Sequence, residues 1–147
     1  MKRGTTAAIA LISFAAALAV INMCGCASAI DAAKSSRNML GGKVSEAAKA
    51  WEVYDAKRIT DINASNQYRE DAQKAILAYA NGEHAEAVLV FNTAWGSLVA
   101  FDKAIQAAQA GDMGQLALAS QHGFSALAEI VRVLTKLGVK IPVAVQP

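Results

Sequence analysis

The chain has 147 residues and a formal net charge of +2, and the excess of its 14 basic over its 12 acidic residues equals the two cations at the start, Lys2 and Arg3. Without those two the charges balance, which excludes the positively charged surface that nucleic acid or a strongly anionic lipid surface would require. The only two cysteines, Cys24 and Cys26, stand close together and far from either histidine. We therefore expect no disulfide within the domain, no metal site and no cofactor.

Residues 1–25 have the pattern of a signal peptide. The basic start is followed by an apolar run of about fifteen residues, from Ala7 to Ile21, and then by small residues. A helix that spans a bilayer needs about twenty residues. We therefore predict export followed by cleavage, with an uncleaved membrane anchor as the alternative.

The tetrapeptide Met23-Cys24-Gly25-Cys26 resembles the lipobox of bacterial lipoproteins, in which a small residue precedes the lipidated cysteine. The resemblance implies a diacylglycerol on Cys26, which would attach the chain stably to a membrane of the cell envelope. Ala27, rather than an aspartate, follows the cysteine, and by the same resemblance this favours the outer membrane. The competing cleavage site, Ala27-Ser28-Ala29, would release a soluble periplasmic protein that begins at Ile30.

Residues 26–43 are predicted to form a lipidated N-terminus and a flexible tether. They are mostly small or polar, and they contain Gly41-Gly42, a pair that disfavours helix. From 44 to 138 the apolar residues recur with the period of an α-helix, which predicts an all-α domain. We predict one helix over 44–80, and the alternative is two helices divided at the polar segment 61–67.

Glycines divide the rest of this domain. Asn81-Gly82 predicts a helix end, and Gly111 and Gly138 predict two more. Because short turns force neighbouring helices to run antiparallel, we expect a small antiparallel three-helix bundle, or a four-helix bundle if the first block divides. Residues 139–147 predict an extended tail that either packs on the bundle or remains available to a partner.

The stretch from 87 to 131 is poor in charge. Such a stretch is either the most buried part of a bundle or presents an apolar face to something else. We predict an interface formed by the second and third helices, and its six candidate residues are Phe91, Trp95, Leu98, Val99, Phe124 and Leu127.

Gly82 with Ala87, Phe91 and Ala94 resembles half of a tetratricopeptide repeat, which implies a helical hairpin that turns at Gly82. The resemblance covers about a quarter of the chain that would remain after cleavage. It names no ligand and no catalytic residue.

Candidate catalytic groups are sparse. His84 lies beside Glu83 and Glu86 and could act as a general base, but the favoured explanation is a polar side chain in the first turn of a helix. His122 has the same status, and the sequence contains no nucleophile motif and no phosphate-binding loop.

We predict that the protein is not an enzyme. Its predicted role is that of an envelope lipoprotein, a binding or structural module that contacts a membrane through its lipid and a protein partner or copies of itself through the charge-poor face. Two alternatives remain, namely a soluble periplasmic helical protein that binds a small apolar ligand, and a phage- or plasmid-borne exclusion lipoprotein.

Overall fold

The computed structural model describes residues 26–66, 68–142 and 145. Over these residues the chain is almost entirely helical and contains no strand, which confirms the predicted all-α class. The described residues form four α-helices: α1 (Cys26–Ser65), α2 (Arg69–Tyr79), α3 (Ala85–Gln109) and α4 (Leu116–Lys136). A π-helical turn, Ala80–His84, joins α2 to α3 without a break, so Arg69–Gln109 forms one continuous helix. The predicted signal peptide over 1–25 lies outside the described residues.

The predicted flexible tether over 26–43 is wrong. The chain is already helical at Cys26 and remains so through Gly41 and Gly42. Each glycine costs a helix about 1 kcal/mol relative to alanine. Leu40, which is completely buried, returns roughly 1.5–3 kcal/mol on its own. Packing of this part of α1 therefore outweighs the local preference of its glycines.

The prediction of a single helix over 44–80 is also wrong, because one helix ends at Ser65 and the next begins at Arg69. The side chains of Ser65 and Asn66 donate hydrogen bonds to the backbone carbonyl oxygens of Asp61 and Ile62, at 2.6 Å in both cases. These bonds place polar side chains on carbonyl groups of the last turn, which is compatible with a helix end at this point. The polar segment 61–67 thus divides the block, as in the alternative.

Gly82 does not end a helix. It lies in the π-helical turn, and neither it nor Asn81 has the positive φ that a helix-ending residue adopts. A π turn contains one more residue than an α turn and is often found at functional sites. Here it carries Tyr79 and His84 toward α1, to the contacts described below.

Gly111 and Gly138 do end helices, as predicted. Their φ angles are +102° and +79°. After α3, the backbone N–H of Asp112 donates to Ala107 O at 2.9 Å and that of Gly111 donates to Ala108 O at 3.0 Å. This is the Schellman arrangement, and the residues around Gly138 repeat it.

The hydrophobic core is shared by α1, α3, α4 and the residues after α4. Its most deeply buried large side chains are Phe101, Leu40, Leu116, Ile130, Leu134, Val44, Val133 and Val145. Gly123 allows α4 to lie close to Leu40 of α1, since a Cβ at position 123 would lie 2.9 Å from Leu40 Cδ1. Within the predicted tail 139–147, Val139 and Val145 are buried in the core, while 143, 144, 146 and 147 lie outside the described residues.

Contacts between α1 and the following helix run in reverse order along the sequence. Arg37 of α1 pairs with Asp102 near the end of α3, at 2.7 Å, whereas Asp55, further along α1, pairs with His84. The same reversal relates α3 to α4, because Lys136 at the end of α4 pairs with Glu86 at the start of α3.

The continuous helix Arg69–Gln109 is long and apolar enough to cross a membrane, by length and composition alone. The core helix of a soluble protein can have the same length and composition. Of the most apolar 18 residues of this helix, 39% are buried within the structure.

Candidate functional site

The structure distributes the six predicted interface residues over opposite sides of their helices. Phe91, Leu98 and Leu127 belong to the hydrophobic core. Phe124 is partly buried against it, so only Trp95 and Val99 are exposed, at 43% and 55%. The predicted set of six interface residues is therefore wrong as a set, because Phe91, Leu98 and Leu127 are in the core and cannot line a surface.

The exposed side of α3 is nevertheless apolar. We call it the outer face of α3 and define it by six exposed residues: Val88, Leu89, Asn92, Trp95, Gly96 and Val99. Positions 88, 92, 95 and 99 follow the helical repeat and share one stripe. No charged residue occurs between Glu86 and Asp102. Sequence reasoning found the stretch but did not separate the residues needed by the core from those left outside.

A second feature, the polar cluster, joins α1 to the π-helical turn. It contains Tyr54, Asp55, Arg58, Tyr79, Glu83 and His84. Asp55 Oδ1 lies 2.8 Å from His84 Nδ1 and accepts a hydrogen bond from the Tyr79 hydroxyl. The ring of Trp51, buried beneath the cluster, has its centroid 6.0 Å from that of His84.

Glu83 forms the other half of the cluster. Its Oε2 accepts a hydrogen bond from the Tyr54 hydroxyl at 3.3 Å, and its Oε1 accepts one from Arg58 Nη2 at 3.4 Å. The pairing predicted for His84 is thus replaced, since its carboxylate partner is Asp55 rather than Glu83 or Glu86. Asp55 lies 29 residues away, and no local pattern indicated it.

The surroundings of the cluster shift the pKa values of its members. Burial raises the pKa of Asp55, but the hydrogen bonds from Tyr79 and His84 together lower it by more than burial raises it. The pKa of Asp55 is therefore below its ordinary value. Burial raises the pKa of Tyr79 well above its ordinary range, and the hydrogen bond to Asp55 adds to that effect. The carboxylate is therefore kept charged and the tyrosine neutral.

An Asp–His pair can orient an imidazole for proton transfer. In this cluster, however, each carboxylate is engaged by two groups from within the chain. The arrangement is that of a brace between α1 and the π-helical turn.

His122 lies apart from the cluster, on an open groove between α3 and α4 with a volume of about 420 Å³. The groove is largely apolar, with Lys103 among its polar residues. Within the described residues, no three histidine, cysteine, aspartate or glutamate side chains are grouped as a metal site would require. Cys26, the predicted lipidation site, is the first residue of α1. The rest of the tetrapeptide, Met23-Cys24-Gly25, lies outside the residues that the structure describes.

In comparison with known proteins, no family model, no curated protein and no solved structure matches this chain. The hairpin implied by the tetratricopeptide resemblance would turn at Gly82, where the chain instead remains helical.

Proposed function

We propose that this chain is the precursor of an exported bacterial lipoprotein that is held in the outer membrane by a lipid on Cys26. We further propose that its helices form an antiparallel three-helix bundle that acts by binding and not by catalysis. The observation that carries the proposal is the lipobox-like tetrapeptide ending at Cys26, behind a basic start and an apolar run.

The position of the first core residues is consistent with this proposal. Ala29 and Ala33 are already buried, one and two helical turns after Cys26. A lipid on Cys26 would therefore be fastened to the end of the folded domain, with no slack between anchor and core. Because α1 contains 40 residues, an upright domain would extend about 60 Å from the bilayer.

The outer face of α3 supports a binding role. Leu89 is 66% exposed, and Trp95 and Val99 are exposed further along the same helix, in a stretch without charge. Exposed apolar surface of this kind marks interaction sites in soluble domains. The carboxylates of the polar cluster, in contrast, are occupied by partners within the chain.

The anchor is tested by replacing each cysteine separately. We expect Cys26→Ser to abolish membrane association and the matched control Cys24→Ser to retain it. Mass spectrometry of the mature wild-type chain should detect a lipid-bearing N-terminus at Cys26. A free N-terminus at Ile30 would instead establish soluble release, and an intact residue 1 would establish an uncleaved anchor.

The groove between α3 and α4 favours a second candidate, a soluble periplasmic protein that binds a small apolar ligand. Its walls include Ala100, Ala104, Ala107, Leu118 and Ala119. Native mass spectrometry of the purified protein tests this candidate. A small molecule that the wild-type protein retains and that Ala100→Trp, at an exposed position on the groove, loses supports this candidate. Wild-type protein that carries no small molecule contradicts it.

A further inference from the structure

The outer face of α3 has the composition of a surface that can meet a copy of itself. Its large side chains, Val88, Leu89, Trp95 and Val99, are apolar and between 39% and 66% exposed. Two such faces can approach without like-charge repulsion, because no charged residue lies between Glu86 and Asp102. The nearest charges beyond Val99 are Asp102, which pairs with Arg37 of α1, and Lys103, which lines the groove toward α4.

Gly96 lies near the middle of the face. A Cβ built at this position would meet nothing within 4 Å, so the core does not require the glycine. Its helical backbone also does not require it, since it has no positive φ. A glycine on an exposed helix face allows the backbone of a second helix to come close, with larger side chains packing on either side.

The anchor decides how two copies would be oriented, and this step rests on the proposed function. α1 is helical from Cys26 onward, so every anchored copy presents the same end to the membrane. Two neighbouring copies then carry their α3 helices in the same direction. A two-fold axis along the membrane normal would place each residue of the face opposite its own counterpart.

The extent of the face determines where pairing occurs. The face contains six residues, whereas a standard specific interface uses about 20–30 residues on each side. Pairing in free solution is therefore weak. Confinement to one membrane raises the effective concentration and makes the same contact sufficient.

We propose that membrane-anchored copies of this protein associate side by side, in parallel, through the outer face of α3.

Single cysteines test both the surface and its direction. Asn92→Cys and Val99→Cys are each placed in a Cys24→Ser background that keeps Cys26 for the lipid, and membranes are treated with a mild oxidant. We expect disulfide-linked dimers in both variants, because both positions meet their counterparts in a parallel pair. Val53→Cys, on α1 and 73% exposed, is the control and should remain monomeric.

A second substitution tests whether the face itself drives the association. Gly96→Leu, added to Val99→Cys, should lower the dimer yield about tenfold, because the bulky side chain separates the backbones. Gly42→Leu is the matched control, since Gly42 is also exposed in a helix with open space around it. Helix content by circular dichroism should be equal in the two variants.

Failure of the pairing and failure of the anchor are distinguishable. The full chain with Cys26→Ser and a C-terminal hexahistidine is attached to vesicles of nickel-chelating lipid, which again gives all copies one orientation. Cross-linking there at both 92 and 99 supports the face even if Cys26 is not lipidated. Lipidated chains that reside in membranes but cross-link at neither position, or equally at Val53→Cys, overturn the inference and leave the proposed function intact.

Discussion

The continuous helix Arg69–Gln109 contributes Tyr79, Glu83 and His84 to the polar cluster and also carries the outer face of α3. The two regions differ in whether their side chains find partners within the chain. At the π-helical turn, Glu83 and His84 are engaged by groups from α1. Beyond Glu86 the inner side of the helix fills the core, while the outer side presents Leu89 and Trp95 to solvent.

The comparison shows which features of this chain point to function. Titratable groups gathered in one place are attractive candidates for catalysis, but here both carboxylates are engaged by groups within the chain and link α1 to the π-helical turn. Apolar side chains that the core leaves uncovered have no such internal explanation. The outer face of α3 is therefore the surface on which the proposed binding role rests.

The largest expected effect is on the free energy of unfolding, when a leucine on the buried side of α3 and one on its exposed side are each replaced by alanine. Leu98→Ala removes a buried side chain and should lower the free energy of unfolding by about 2–5 kcal/mol. Leu89→Ala, at an exposed position, should change it by no more than about 0.5 kcal/mol. Urea unfolding of lipid-free protein measures both, and equal losses would show that the outer face is buried within one chain.

The next effect concerns the brace. Asp55→Ala leaves His84 and Tyr79 without their shared acceptor, so we expect a loss of about 1–3 kcal/mol. Asp61→Ala is the control, because its exposed pair with Lys57 contributes no more than about 0.5 kcal/mol. Thermal unfolding monitored by circular dichroism compares them, and a control as damaging as Asp55→Ala would contradict the bracing role.

The parts of the fold that the sequence predicted are those governed by local rules. Helical periodicity defined α3 and α4, and Gly111 and Gly138 ended them because left-handed backbone favours glycine. The mistaken parts depended on distant contacts. Burial of Leu40 kept Gly41-Gly42 helical. His84 lies in a π turn that no local pattern indicates, and its partner Asp55 is 29 residues away on α1.

Two glycines that the sequence treats alike should respond in opposite directions to alanine. Gly82→Ala should stabilise the chain by about 0.5–1 kcal/mol, because the position is helical with open space around it. Gly111→Ala should destabilise it by about 1 kcal/mol, because φ is +102°. Urea midpoints measure both changes, and a loss of stability in Gly82→Ala would mean that the π turn itself requires glycine.

The smallest expected effect is a dependence on acid that belongs to the polar cluster. The pKa of Asp55 is lower in the folded chain than its ordinary value, so its contribution to stability is complete above about pH 4 and is lost as the pH falls through the folded value. Asp55→Asn removes the titration and should flatten the decline in unfolding free energy between about pH 5 and pH 2. The change is small because other carboxyl groups titrate over the same range. Leu89→Ala, which alters only the outer face, should leave the decline unchanged, and an unchanged decline in Asp55→Asn would show that the hydrogen bonds to this carboxylate do not stabilise its charged form.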